Sequence, residues 1–97
     1  MGFQEMYALT QNDTLKAKVR MAGIKAATAV LNDPGRSDEH RYCNLVIKEP
    51  MSDYWLNQMM FSVVTNPVIN QDSPDDDVEF QVNAVFQDLA LAYNQTN

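Results

Sequence analysis

Leu15, Val19, Ala22, Ala26 and Val30 recur at spacings of four, three, four and four, the period of an amphipathic helix. Thr10 offers a capping hydroxyl and Asp13 follows three residues on, an approximate capping box with Asp where Glu or Gln is usual. A first helix is therefore expected over residues 11–31, with Gly23 a weak point inside it and Asn32-Asp33-Pro34-Gly35 as its closing turn. A second is expected over residues 37–49. Ser37 opens it, Asp38 and Glu39 suit the positive end of its dipole, and Lys48 and Pro50 close it. Its apolar face is short, made of Tyr42, Leu45 and Val46 with Cys43 beside them. The run Leu45-Val46-Ile47 also reads as a strand, although its flanks are helical.

Trp55, Leu56, Met59, Met60 and Val63 mark a third helix over residues 52–65, ended by Asn66-Pro67. Val68 and Ile69 are then available to pin the following loop to the core. The fourth helix, over residues 74–93, has Ser73 as its expected cap, Pro74 at its first position and Asp75, Asp76 and Asp77 in its first turn. Val78, Val82, Val85, Phe86, Leu89 and Tyr93 form its buried face, and the polar tail 94–97 is expected to fray. Residues 1–10 read as an apolar arm through Phe3, Met6, Tyr7 and Leu9, able to pack on its own bundle or to reach a neighbouring subunit. The pattern thus predicts an all-α fold, one domain over residues 1–97 built as a small bundle of about four helices with an N-terminal arm.

Ninety-seven residues hold one core, not two, and a domain of this size commonly gains stability against copies of itself or a larger partner. The single Cys43 can form neither an intramolecular disulfide nor a thiolate zinc site, which suits a protein assembled inside a cell. Residues 1–10 lack the pattern of a signal peptide, and the apolar runs fall far short of the roughly 20 residues of a membrane helix. The expectation is a soluble chain with no membrane contact. A net charge of −6 argues against nucleic-acid binding. The charge is also divided. Residues 1–48 carry all seven bases against five acids, net +2, whereas residues 49–97 carry eight acids and no base, net −8. Such a split predicts a basic face and an acidic face that let copies meet head to tail, or else a charge that only keeps the chain soluble.

Candidate chemistry is sparse. His40 lies in a short helix beside two acids and is expected to be exposed; Cys43 three residues on makes a Cys–His couple conceivable, but no oxyanion or orienting motif accompanies it. The run from Asp72 to Glu79 invites a calcium reading, yet it lacks the glycine and ligand spacing of an EF-hand and is accounted for as a helix start. The three glycines are scattered and make no phosphate cradle. No catalytic, cofactor or metal residue is therefore assigned, and the chain is not expected to be an enzyme. Protein contact remains. Of the adjacent Tyr54 and Trp55, both cannot face inward, so one is an interface anchor. The candidate contact residues are Phe3 and Tyr7 on the arm, Lys16 and Arg20 in the basic half, Tyr54 and Trp55, and Asp75, Asp76 and Asp77.

Beyond these patterns, Tyr7-Ala8-Leu9-Thr10 with Leu15-Lys16-Ala17-Lys18-Val19-Arg20, then Met59-Met60-Phe61 leading into Thr65-Asn66-Pro67-Val68-Ile69, resembles small virion proteins of tailed bacteriophages. The closing stretch from Val78 to Phe86 is similar as well. The likeness covers most of the chain; residues 33–43 depart from it, where the similar proteins are richer in Thr, Pro and Asn. What the resemblance implies is a structural virion protein assembled in the host bacterial cytoplasm. Its expected partners are copies of itself and portal, tail or major capsid protein. A head–tail connector or adaptor subunit is the first expectation, since adaptors are commonly small helical bundles. A capsid decoration protein is the second, and a small acidic phage protein that inhibits a host factor the third.

Overall fold

The second helix begins where a side chain can satisfy its first free amides. In the computed structural model, which describes residues 2–96, the Asn12 carboxamide accepts from the Leu15 N–H at 2.9 Å and opens α2, Asp13–Leu31. The expected cap, Thr10, belongs to the preceding helix instead. Its hydroxyl donates to the Tyr7 carbonyl at 2.6 Å, at the end of α1, Phe3–Thr10. The stretch expected as an arm is therefore a helix of its own, with Met6 and Leu9 packed on the core beside α4, Asp53–Val64, and Thr10 buried. The radius of gyration, 12.8 Å, is that of a folded domain of about 100 residues with α1 on the body. Met1 lies outside the described residues.

Every residue of the predicted α2 stripe is buried, and so are Gly23 and Ala27. Gly23 is there for closeness. A Cβ added to it would stand 2.8 Å from the Trp55 ring, so the glycine is what lets α4 lie against α2. The next corner differs from expectation. Ser37 does not open a helix; Pro34–Glu39 winds as a 3-10 segment, non-helical at Arg36, with the Asp33 carboxylate accepting from the Gly35 N–H at 3.0 Å. The cause is tertiary. Glu39 is drawn inside and held by Arg36 through two hydrogen bonds of 2.8 and 2.6 Å. The α-helix proper, α3, spans His40–Lys48 and buries Tyr42, Cys43 and Val46, so residues 45–47 are helix and not strand.

α4 starts at Ser52, whose hydroxyl accepts from the Tyr54 N–H at 3.3 Å, and it buries its whole predicted stripe with Val64 added. In the loop after it Ile69 is buried but Val68 is exposed, so only one of the two expected residues pins the chain. The last helix, α5, covers Asp75–Thr96. Its first amide bonds go to the Pro74 carbonyl, from Asp77 at 3.0 Å and Val78 at 3.2 Å. Ser73, the expected cap, is turned into its own loop, accepting from the Asn70 N–H and donating to the Val68 carbonyl. Residues 94–96, expected to fray, continue the helix; Asn94 donates to the Asp38 carbonyl at 2.6 Å, and Asn97 lies outside the described residues. The fold is all-α, with five helices among the described residues. Its core joins Trp55, Tyr42 and Phe86 to the α2 stripe; the Tyr42 and Phe86 rings meet edge to face at 5.3 Å.

Candidate interaction surface

The groups with reactive chemistry are turned into the fold. Cys43 is fully buried, and burial foremost, with the neighbouring Glu39 carboxylate, pushes its thiol up to about 11. That is the opposite of the depressed value a nucleophilic thiol needs. Tyr42 is raised still further, also by burial. Hydrogen bonding to Glu39 raises the Arg36 guanidinium further above its ordinary value. His40, expected in solvent, is half-buried, with Nε2 3.0 Å from the Val30 carbonyl at the end of α2. Its ring thereby closes a helix terminus and gives Cys43 no base. Among the described residues no group of three or more His, Cys, Asp or Glu side chains gathers as a metal site would require.

The expected basic and acidic faces are partly neutralised within the chain. α2 and α5 lie side by side, Lys25 pairs with Glu79 at 3.1 Å, and Lys18 donates to the carbonyls of Gln71 at 3.2 Å and Ser73 at 2.8 Å, just before α5. Arg20, a candidate contact residue, is instead an internal tie whose guanidinium donates to the Pro50 carbonyl. Arg41 lies over the Tyr93 ring at 5.5 Å. Lys16 is half-buried on α2, and its backbone N–H donates to the Asn12 carbonyl at 2.9 Å.

Trp55 is the other correction. It is fully buried against Gly23, and its Nε1–H donates to the Glu49 carbonyl at 2.8 Å, so it is a core residue. Its neighbour Tyr54 faces outward. Phe3, Tyr7 and Tyr54 are 71%, 57% and 54% exposed. Phe3 and Tyr7 are four apart on α1 and share a face. Asp75, Asp76 and Asp77 are exposed in the first turn of α5.

Six further exposed apolar residues escaped the reading of the sequence: Met21, Ile47, Met51, Phe61, Val68 and Phe80. A signal for the helical ones was present. Phe61 falls between the buried Met60 and Val63, and Phe80 between the buried Val78 and Val82, each out of phase with the stripe of its own helix. Comparison with protein families, with curated proteins and with solved structures finds no match for the chain.

Proposed function

We propose that the chain is a structural subunit of a tailed-bacteriophage virion, of the head–tail connector type, that works through contacts with copies of itself and with portal, tail or major capsid protein. Assembly in the host cytoplasm and residence in the virion belong to the same proposal. The observation that carries it is the display of Phe3, Tyr7 and Tyr54 on a small core that has already buried its own tryptophan. Solvent-facing aromatics of this size are typical anchors of protein interfaces. The all-α fold favours the connector over the decoration reading, since decoration proteins are β-rich in many phages. The inhibitor reading draws on the exposed Asp75, Asp76 and Asp77, which resemble a row of phosphates, but a helix start accounts for their placement.

Native mass measurement of the purified chain, alone and mixed with portal protein, tests the proposal. A ring-sized oligomer or a portal complex is expected; a chain that stays monomeric in both mixtures overturns it. Phe3→Ser with Tyr7→Ser should reduce that assembly while the helical circular-dichroism signal stays unchanged, because both side chains are exposed.

A further inference from the structure

The break between α1 and α2 comes down to one backbone angle. Gln11 stays in the right-handed helical region, with φ −96° and ψ −2°, and Asn12 has a helical φ of −77°. Only the Asn12 ψ, 118°, departs. Turning it to about −42° would run the chain as a single helix over residues 3–31. Few hydrogen bonds oppose the turn. The N–H groups of Asp13, Thr14 and Leu15 would gain the carbonyls of Leu9, Thr10 and Gln11 in place of the Asn12 side-chain cap on Leu15.

What holds α1 to the body is equally slight. Among the described residues its hydrogen bonds stay within residues 2–12, so none ties it to α3, α4 or α5. Met6 and Leu9 are partly buried against the core, and Thr10 alone is buried. On the continued helix, at about 100° per residue, Met6 would stand opposite Leu15. Leu15 is fully buried in the bundle, so Met6 would then point away from its own core. α1 would reach about 12 Å past the start of α2 and uncover its seat on α4. What fits that seat is visible in the structure, because α1 itself occupies it, and every other copy of the chain carries the same helix.

We propose that α1 is an exchangeable strap: Asn12 opens as a hinge, and α1 of one copy takes the place of α1 on the α4 of the next. This rests on the reading of the chain as a self-assembling virion subunit and names the element that joins its copies. The contacts of Met6 and Leu9 lost on opening are regained on the neighbour, so exchange needs no new groove, only the hinge. Each copy gives one strap and receives one, and the exchange passes from copy to copy until it closes. Phe3 and Tyr7, exposed while the strap lies on its own body, travel with it to the junction between copies. Apolar burial there is gained only on assembly.

Two substitutions bias the hinge in opposite directions and leave the faces of α1 and α4 intact. Asp13→Pro puts proline at the first position of α2, where it is tolerated, and holds Asn12 in the extended backbone it already has. Asn12→Ala removes the cap and places the best helix former at the hinge. Pulsed electron spin resonance then reads the distance from α1 to its own α4. The chain carries spin labels at Gln4→Cys and Asn57→Cys, both exposed positions, in a Cys43→Ala background, and is diluted into unlabelled chain. Wild type is expected to show a short distance and a longer one whose share grows with total concentration. Asn12→Ala should raise the long share roughly threefold or more. Asp13→Pro should show the short distance alone and sediment as a monomer. Circular dichroism establishes that each variant is folded; if Asp13→Pro does not fold, the concentration dependence in wild type and Asn12→Ala decides. A short distance alone at every concentration in both, a long share independent of concentration, or Asp13→Pro oligomers as abundant as those of wild type would overturn the exchange. Incorporation into particles separates it from the reading on which it rests. Particles that take up folded Asp13→Pro at wild-type levels overturn the exchange alone; particles lacking the wild-type chain overturn the virion reading, whatever the spin labels show.

Discussion

Gly23 and Trp55 form the closest fit in the protein. A methyl group at Gly23 would meet the Trp55 ring at 2.8 Å, and that ring is fully buried and hydrogen-bonded, so it has nowhere to move. Gly23→Ala is therefore expected to destabilise the chain by about 1–3 kcal/mol through overpacking, although alanine alone would favour the helix. A lower urea midpoint checks it, and a higher one would mean that the two helices are not held this closely. Cys43 sets a second expectation. Its thiol is raised from 9.0 to about 11 by burial, so the folded state binds a proton that the unfolded state releases first. The stability linked to it is fully present below pH 9 and is lost as pH rises toward 11. Tyr42, raised for the same reason, adds to the loss at the alkaline end. Thermal melts from pH 7 to 11 should fall across this window, with a shallower fall for Cys43→Ala.

Helix starts show what an element's sequence discloses. Asn12 caps α2, so Asn12→Ala should cost about 1 kcal/mol of stability. Thr10→Ala should cost less, since its hydroxyl donates to the Tyr7 carbonyl within α1 and accepts from the Gln11 side chain, and it satisfies no free amide at the start of α2. Chemical denaturation of the two variants ranks them, and the reverse order would return the cap to Thr10. The stripes of α2, α4 and α5 were legible because a helix repeats its buried face every three to four residues. The caps were not, because several Ser, Thr and Asn side chains stand near each start and only packing decides which one turns toward the amides. The 3-10 corner was hidden for a related reason. Glu39 looks like a first-turn solvent residue until Arg36 folds back to hold it inside. α1 is not legible as a helix because its eight residues bring too few turns to establish a period, and Met6 and Leu9 find their partners on the core of the bundle.

At the scale of the molecule, the divided charge of the sequence becomes an internal seam. α2 faces α5, Lys25 meets Glu79, and Lys18 secures the loop that launches α5. Neutralising Asp75, Asp76 and Asp77 to Asn should then loosen the start of α5 by about 0.3–1 kcal/mol per charge and leave the rest of the bundle standing. Hydrogen exchange resolved along the chain would register the loss in the first turns of α5. The sequence marked Tyr54 and Trp55 as a pair of which one is exposed, but which of them turned inward depended on Gly23, across the bundle. Phe80 is out of phase with the stripe of α5, whereas Met51, outside any helix, required the three-dimensional arrangement. What these surfaces have in common is exposed apolar area. The most direct test of the proposed virion role is quantitative mass spectrometry of gradient-purified tailed-phage particles assembled in cells that express the chain. The chain is expected in intact particles at a fixed number of copies relative to portal protein; particles that contain portal protein and lack this chain would contradict the proposed role.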